Sequence, residues 1–377
     1  MDMKLQMVDL HGQYLKIKED IDKGIQQVIE NSAYINGPQV KEFATSLADY
    51  VHIKHVITCG NGTDALQIAL MSLGLKPGDE VIVPAFTYVA SAEVIGLLGL
   101  TPVMVDVDYS TFNVTASNIE NGLSSKSKAI IPVHLFGQSC DMAPIMELAR
   151  KHGLYVIEDN AQAIGARYTF PDGTVKSTGT IGDIGCTSFF PSKNLGCYGD
   201  GGAIFTDDDT LGEHLRMTAN HGQRIKYHHE VIGCNSRLDT IQAVVLNAKL
   251  PHLDEYCTAR YKAAQYYTEA LKDIVGIITP TEHPNSTHVY HQYTLKVLDG
   301  RRDDLKQYLS GQGIPSMIYY PLPLQQQEAF LGITRAAEKL DTAAELAASV
   351  LSLPIHTEIT REQQDIVIDS IRNFFKQ

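Results

Sequence analysis

Short apolar runs rich in β-branched residues alternate with longer segments of helical periodicity through the first half of the chain. A turn or a helix-like segment separates each run from the next. This alternation predicts an α/β fold with a mostly parallel seven-stranded sheet. The predicted strands cover residues 55–59, 80–83, 102–107, 129–134, 154–158, 186–190 and 203–206.

The pattern changes after Pro251. It predicts a long helix over residues 256–271, a strand over 290–297, a helix over 303–309 and a strand over 315–320. Two further helices are predicted in the carboxyl-terminal segment. The last helix opens with Thr-Arg-Glu-Gln at 360–363, which fits a capping box. We therefore predict a large domain over residues 1–250, with amino-terminal helices packed across the interface, and a smaller α+β domain over 251–377.

The composition limits the partners. The 377 residues carry a formal net charge of -13, which argues against a nucleic acid or an anionic membrane as the main partner. The six cysteines are scattered without zinc-like spacing, so we predict reduced thiols and no metal site. The amino terminus lacks a basic-then-apolar signal, and long apolar stretches are absent. These features predict a cytoplasmic protein that does not span a membrane.

Lys193 is the first candidate for chemistry. It lies in a turn, within Thr-Ser-Phe-Phe-Pro-Ser-Lys-Asn-Leu-Gly at residues 187–196, between two apolar strand-like runs. A turn lysine near strand ends can reach into a cleft, lose its proton when desolvated and condense with an aldehyde. A solvated surface lysine is the alternative.

Three further segments follow predicted strands. Residues 60–65, Gly-Asn-Gly-Thr-Asp-Ala, open a helix whose free amides suit a phosphate, although Thr63 or Asp64 could simply cap the helix. Asp159 directly follows a strand and could pair with a protonated ring nitrogen, or cap a following helix. Tyr88 could stack on a flat ring or belong to the core.

Together these segments resemble the DegT/DnrJ family of sugar-nucleotide aminotransferases, within the aspartate aminotransferase fold (fold type I). The resemblance runs nearly end to end. The segments that carry it are 34–38 (Tyr-Ile-Asn-Gly-Pro), 62–66 (Gly-Thr-Asp-Ala-Leu), 132–137 (Pro-Val-His-Leu-Phe-Gly), 158–162 (Glu-Asp-Asn-Ala-Gln), 188–193 (Ser-Phe-Phe-Pro-Ser-Lys), 199–202 (Gly-Asp-Gly-Gly) and 233–239 (Gly-Cys-Asn-Ser-Arg-Leu-Asp).

The resemblance implies pyridoxal 5'-phosphate as cofactor, with pyridoxamine 5'-phosphate as intermediate. Lys193 would form the Schiff base, Asp159 would hold the pyridine nitrogen and Asn235 would reach the phosphate from a neighbouring subunit, which implies a homodimer with shared active sites. The other implied cofactor contacts are Gly62, Thr63, Asp64, Tyr88, Gln162 and Ser188.

The implied reaction moves an amino group from L-glutamate to a keto-sugar nucleotide. Residues 221–229, followed by 232–233 and 235–239, look most like enzymes that aminate carbon 3 of UDP-2-acetamido-2-deoxy-3-oxo-glucuronic acid for surface polysaccharide synthesis. A sugar acid needs a cationic partner, so Arg237 is the first candidate, with Arg224 and Lys226 behind it. Each of these could instead be solvated or salt-bridged.

Tyr320 opens a loop that is a further candidate for the substrate site. In the family this loop often ends in histidine, whereas here it ends in Gln325. Amination of carbon 4 on a neutral keto-deoxysugar nucleotide remains the alternative reaction. A non-catalytic cofactor-binding regulator and a sugar dehydratase are less favoured, because Lys193 is retained.

Overall fold

The computed structural model describes residues 5–337 and 339–376. The α-helices in this part of the chain are α1 (Leu10–Lys16), α2 (Lys18–Asn31), α3 (Pro38–Val51), α4 (Gly62–Ser72), α5 (Ala90–Leu97), α6 (Ala116–Asn121), α7 (Met142–His152), α8 (Asp209–Ala219), α9 (Thr240–Lys249), α10 (Leu253–Leu271), α11 (Arg302–Gly311), α12 (Asp341–Ser349) and α13 (Arg361–Phe375). None of them is long and apolar enough to cross a bilayer.

The β-strands in the same residues are β1 (His55–Cys59), β2 (Glu80–Pro84), β3 (Thr101–Val105), β4 (Ser127–Ile130), β5 (Tyr155–Asp159), β6 (Arg167–Thr169), β7 (Val175–Ser177), β8 (Ile184–Ser188), β9 (Gly202–Thr206), β10 (Gln223–Ile225), β11 (His228–His229), β12 (Ile277–Ile278), β13 (Tyr293–Val297), β14 (Arg335–Ala336) and β15 (Val350–Leu353). They form an eight-stranded sheet and three small sheets.

The large sheet contains all seven predicted strands. Its order is β1-β9-β8-β5-β4-β2-β3-β14, and β9 alone runs in the opposite direction to the other strands of this sheet. The expectation of seven strands needs one correction, because β14 adds an eighth strand of two residues that pairs in parallel with β3. A run this short has no alternating pattern of its own, so tertiary contact decides whether it joins the sheet.

The second half of the chain builds a three-stranded sheet in the order β12-β13-β15. The predicted strand over residues 315–320 is not formed, since only Met317 pairs, by two backbone hydrogen bonds of 2.7 and 3.1 Å with Ser352. Pro321 and Pro323 have no N–H to extend the ladder, and Tyr320 packs instead on Phe86, with 6.2 Å between ring centroids. The predicted capping box at Thr360 is present.

The two largest clusters of buried apolar side chains belong to the two sheets described above. One packs on one face of the large sheet and also receives side chains from α12 and from the segment before it. The other packs α10, α11 and α13 against the three-stranded sheet. The division at residue 250 stays a prediction. Helices α2 and α3 pack on α9, which ends just before residue 250.

Candidate active site

The carboxyl ends of β1, β2, β5 and β8 surround a cavity of about 610 Å³. In open α/β sheets ligands bind at this end of the strands. Nine of the predicted site residues line the cavity, namely Gly62, Thr63, Asp64, Tyr88, Asp159, Gln162, Ser188, Lys193 and Tyr320.

One wall of the cavity is the amino terminus of α4. The side chain of Asn61 caps this helix by accepting the N–H of Asp64 at 2.8 Å, so neither Thr63 nor Asp64 is the cap. The Asp64 carboxylate in turn accepts the hydroxyl of Ser236 at 2.6 Å. No acceptor for the N–H groups of Gly62 and Thr63 occurs in the part of the chain that the structure describes. These two amides can therefore receive an anion.

Ser188 lies directly across from this helix start. A Cβ on Gly62 would come within 2.7 Å of the Ser188 Cβ, so only glycine lets the two backbones approach this closely. The close approach places the Ser188 hydroxyl beside the free amides of α4. Hydroxyl and backbone N–H groups together form the kind of site that holds a phosphate.

Asp159 ends β5 and is only 5% exposed. Its carboxylate accepts the Ser91 hydroxyl at 2.7 Å and the Ala161 N–H at 3.1 Å. Residues 160–166 form turns instead of a helix, so Asp159 does not cap a helix. A carboxylate held in this way presents a fixed negative charge to the cavity.

Lys193 occupies a tight turn after β8, where its N–H donates to the Phe190 carbonyl at 2.8 Å. Its side chain is half-buried. Burial lowers the pKa of Lys193 from 10.5 to about 8, and the opposing charge of Asp159 limits the shift. The amine can therefore lose its proton near neutral pH, unlike that of a solvated surface lysine.

Aromatic and amide side chains form the remaining walls. Tyr88 is 55% exposed, so it does not belong to the core, and its ring centroid lies 6.0 Å from that of Tyr320. Gln162 donates to the Tyr320 hydroxyl at 3.0 Å and accepts the Phe136 N–H at 2.7 Å. Burial raises the pKa of Tyr320 above its usual range. Gln162 and Tyr320 are thus positioned as a pair.

Four predicted site residues lie outside this cavity. Asn235 is exposed, and Arg237 lines a separate cavity of about 320 Å³ together with Lys41 and Arg216. Arg224 forms ion pairs with Glu213 and Glu230 at 3.1 and 3.4 Å. Lys226 is exposed, with its amine 5.1 Å from the Tyr227 ring centroid. A single chain does not bring these residues to Lys193.

Sequence reasoning missed several residues of the site. Ser91 bonds Asp159 across 68 positions of the chain, and no local pattern marks it. His291, Gln292 and Tyr319 line the cavity from the second half of the chain. Asn61 carried a usable signal, because asparagine is a preferred residue at a helix start.

Gln325, which stands where the family often has histidine, is not among the residues that line the cavity. Its side-chain oxygen is buried without a hydrogen-bond partner in the described part of the chain. The adjacent Leu324 N–H donates to the Ala85 carbonyl at 2.8 Å, which fixes this loop beside β2.

Three curated relatives align with nearly the whole chain. A pleiotropic regulatory protein of Geobacillus stearothermophilus is 45% identical, with 99% of both chains covered. The UDP-2-acetamido-2-deoxy-3-oxo-D-glucuronate aminotransferase of Pseudomonas aeruginosa is 45% identical, over 98% of this chain and all of the relative. The UDP-N-acetyl-3-dehydro-alpha-D-glucosamine 3-aminotransferase of Acidithiobacillus ferrooxidans is 44% identical, over 95% and 94%.

Two solved structures share the fold. An aminotransferase of the DegT, DnrJ, EryC1 and StrS type from Brucella abortus superposes with a TM-score of 0.94 at 41% identity, over 99% of this chain and 100% of that one. The structure of ntda from Bacillus subtilis, with bound cofactor PMP, superposes with a TM-score of 0.89 at 30% identity, over 100% and 86%.

The DegT/DnrJ/EryC1/StrS aminotransferase family matches residues 15–372. This match and the relatives confirm the predicted fold, the aminotransferase activity and pyridoxal phosphate as the cofactor of the family. The role of each site residue stays a prediction. The chain belongs to the DegT/DnrJ/EryC1/StrS aminotransferase family.

Proposed function

We propose that the protein transfers the amino group of L-glutamate to carbon 3 of UDP-2-acetamido-2-deoxy-3-oxo-glucuronic acid, in the cytoplasm, for surface polysaccharide synthesis. One observation carries the chemical part of this proposal. A single cavity holds a lysine whose pKa is lowered to about 8 and a buried carboxylate, Asp159. The amine can act as nucleophile and base, and the carboxylate can hold a positive ring.

The residues of the cavity suit pyridoxal phosphate. The free amides of Gly62 and Thr63, with the Ser188 hydroxyl, would hold its phosphate, and Asp159 would hold its ring nitrogen. Tyr88 is exposed to the cavity and would cover one face of the ring. When bound, this cofactor supplies an aldehyde that condenses with amines and a ring that withdraws electrons.

The residues of the cavity would have separate roles in the reaction. In the first half-reaction Lys193, as a neutral amine, would take the proton from the carbon that carries the donor's amino group and pass it on to the cofactor. In the second half-reaction the lysine, protonated again, would give a proton to the sugar carbon that receives the amino group. Ser91 and Ala161 hold the two oxygens of Asp159 in place by hydrogen bonds, so its carboxylate would stand beside the ring nitrogen. Gln162 and Tyr320 form a polar pair at the edge of the cavity.

The sugar acid requires a second subunit in this proposal. Among the described residues, Lys193 is the one lysine or arginine that lines the cavity, whereas Asp64, Asp159 and Asp200 are acidic. The carboxylate of a uronic acid would be repelled by such a lining. We therefore propose a homodimer in which Asn235 and Arg237 of the partner subunit complete the site. Arg237 suits this role because no acid pairs with it in the described residues, while Arg224 already has two glutamates.

The relatives support amination at carbon 3 more than they support the acid group. The Pseudomonas relative is named for a 3-oxo-glucuronate and the Acidithiobacillus relative for a 3-dehydro-glucosamine, at 45% and 44% identity. The Geobacillus relative is described as regulatory. The presence of Lys193 and Asp159 in one cavity favours catalysis over a purely regulatory role for this chain.

The substrate test offers three sugars in parallel to enzyme that has first reacted with L-glutamate. They are UDP-2-acetamido-2-deoxy-3-oxo-glucuronic acid, its uncharged 3-oxo-glucosamine counterpart and a UDP-4-keto-6-deoxy sugar, with products read by mass spectrometry. We expect 2-oxoglutarate in the first step and an amino product mainly from the sugar acid. Product from the 4-keto sugar alone would overturn the substrate and keep the aminotransferase.

Arg237→Ala sharpens this test. Loss of a charged hydrogen bond costs about 1.5–3 kcal/mol, or roughly ten- to a hundredfold in rate. The variant is expected to lose this much with the sugar acid and almost nothing with the uncharged sugar. Arg224→Ala is the matched control, because its guanidinium is occupied by glutamates. Equal losses on both sugars would remove Arg237 from the carboxylate site.

Shared active sites are tested by mixing Lys193→Ala and Asn235→Ala, two variants that we expect to be inactive on their own. In a mixed dimer one site carries both substitutions and the other carries neither. Activity is therefore expected to return when the subunits exchange. A mixture that exchanges subunits but stays inactive would show that Asn235 does not act across the interface.

A further inference from the structure

A second cavity, of about 320 Å³, is separate from the cavity that holds Lys193. Its volume is near the lower end of the range of small-molecule sites, about 300–1,000 Å³. Its walls come from α3 and the loop before it, from β1, from the end of α8 and from residues 236–237. We call it the cation cavity, because Lys41, Arg216 and Arg237 line it.

The charged side chains of the cation cavity are all of one sign. Among the residues that the structure describes, no aspartate or glutamate lines it. In the same residues the Lys41 amine and the Arg237 guanidinium have no ion pair and no hydrogen bond. The whole chain has a net charge of -13, so a cavity with cations and no acid is a local exception. Charges of one sign in a concave site attract and concentrate ions of the opposite sign.

Arg216 is held in place by the groups behind it. Its guanidinium donates to the Nδ1 atom of His55 at 2.9 Å and to the Gly212 carbonyl at 3.3 Å. Because arginine can only donate, His55 accepts at Nδ1, and its Nε2–H donates to Asp209 at 2.7 Å. These bonds orient the guanidinium and leave its other N–H groups free to bind an anion.

The segment that carries Arg237 is fixed between the two cavities. The Ser236 N–H donates to the Ala219 carbonyl at 3.1 Å, and the Ser236 hydroxyl donates to Asp64 at 2.6 Å. Asp64 lines the candidate active site, whereas Ser236 lines the cation cavity. The two cavities therefore share a wall at the start of α4.

The candidate active site lacks a cation for part of the proposed substrate. A sugar nucleotide carries a negatively charged diphosphate next to its sugar. In the proposed function the amides at the start of α4 and the Ser188 hydroxyl are occupied by the phosphate of the cofactor. Among the described residues of that cavity, Lys193 is the one lysine or arginine, and it is needed for the chemistry. Since lysine and arginine are the side chains that bind phosphate groups, the diphosphate requires cations from elsewhere.

We propose that the cation cavity binds the diphosphate of the sugar nucleotide, with Lys41 and Arg216 as its cationic contacts. In the proposed homodimer, Arg237 of the partner subunit holds the carboxylate of the sugar. The cation cavity of the partner subunit then receives the diphosphate of the same molecule, so each sugar nucleotide is bound between two subunits. This inference rests on the proposed function, whereas the affinity of the cavity for a diphosphate can be measured without turnover.

The first test measures binding to the enzyme loaded with cofactor, in which the amides at the start of α4 are already occupied. Inorganic pyrophosphate, UDP, uridine and inorganic phosphate are titrated by calorimetry. Pyrophosphate and UDP are expected to bind, with an affinity that falls as salt is raised, whereas uridine is not. For Lys41→Met and Arg216→Met we expect roughly tenfold weaker binding of both, because each variant loses a charged contact. Unchanged affinity in both variants, or an equal affinity for inorganic phosphate, would overturn the diphosphate site.

Two further variants separate the charge in the cavity from other effects. Lys16→Met is the matched control, because Lys16 is also an exposed helical lysine, but it pairs with Glu358 at 2.6 Å and does not line the cavity. Its affinity for pyrophosphate should stay with the wild type. Lys41→Arg retains the charge, so it should also bind pyrophosphate like the wild type. A fall in either variant equal to that in Lys41→Met would contradict a specific role of the Lys41 charge.

Steady-state kinetics identify the source of the bound diphosphate. If it belongs to the substrate, Lys41→Met should raise the KM for the UDP sugar about tenfold and leave kcat nearly unchanged, because the contact is the same in the ground and transition states. The half-reaction with glutamate, which carries no phosphate, should keep its rate. An unchanged KM despite weakened pyrophosphate binding would assign the cavity to a free anion and overturn our proposal. An enzyme that binds pyrophosphate here but aminates no sugar would contradict the proposed function and not the diphosphate site.

Discussion

The half-buried Lys193 and the buried Lys296 lie in two regions of the molecule with different surroundings. Burial lowers the pKa of both from 10.5 to about 8. The Lys296 amine donates to the Tyr109 carbonyl at 2.9 Å and lies 4.6 and 4.7 Å from the ring centroids of Tyr109 and Phe112. Lys193 instead lines a cavity of about 610 Å³ that also contains Asp159.

The difference teaches that a lowered pKa does not by itself identify a reactive lysine. Lys249 makes the same point, since its pKa also falls to about 8 while its amine donates to the Gly196 carbonyl at 2.7 Å. In both structural lysines the amine donates an N–H to a backbone carbonyl. Chemistry requires an amine that is desolvated, accessible to a ligand and placed beside the right charge.

The largest expected effect is a loss of turnover on substitution of Lys193 but not of Lys296. Lys193→Ala should reduce turnover at least about a thousandfold, because it removes both nucleophile and base. Lys296→Met should keep turnover and lose stability instead, by about 1–3 kcal/mol, because it leaves the Tyr109 carbonyl unpaired. Steady-state rates and thermal unfolding of both variants check this. Full activity in Lys193→Ala would remove this lysine from the mechanism.

Asp159→Asn sharpens the comparison by removing the carboxylate that distinguishes the Lys193 site. Loss of a charged hydrogen bond to the ring is expected to slow both half-reactions by roughly ten- to a hundredfold. Single-turnover kinetics with glutamate and with the keto sugar measure each half separately. Near-normal rates in both halves would mean that another residue holds the ring nitrogen.

The pH dependence of stability gives a smaller effect, which concerns Lys296. Between about pH 8 and 10.5 this lysine is neutral in the folded chain and protonated in the unfolded chain. The unfolded state then binds the extra proton, so the contribution of Lys296 to stability rises with pH in this window. The stability of wild type relative to Lys296→Met should therefore increase from pH 8 to 10.5. A constant difference, measured by denaturant unfolding, would show an ordinary pKa.

Ser91→Ala is expected to have the smallest effect. Its hydroxyl donates to Asp159 at 2.7 Å, and such a bond contributes about 1 kcal/mol, or roughly fivefold in rate. Rates should fall by this factor without a change in the overall fold. Ser72→Ala is a control, because its hydroxyl bonds a helix carbonyl outside the cavity. Equal effects from both would indicate a general loss of stability.

The local pattern of the chain determined much of the fold and the centre of the candidate site. All seven predicted strands of the large sheet form, because each apolar run is long enough to specify a buried strand. Asp159 ends a strand, Lys193, Gly62 and Tyr88 each follow one, and strand ends at one edge of a sheet meet in space.

Only the tertiary structure determined which residues that are far apart in the sequence form hydrogen bonds in and around the site. Ser91 reaches Asp159 and Asn194 reaches Val289 across 68 and 95 positions, and no local pattern carries such pairs. The strand expected over residues 315–320 does not form, and Tyr320 packs against Phe86 instead. Sequence pattern specifies the period and ends of an element, whereas side-chain burial, free amides and pKa values depend on neighbours that only the folded chain supplies.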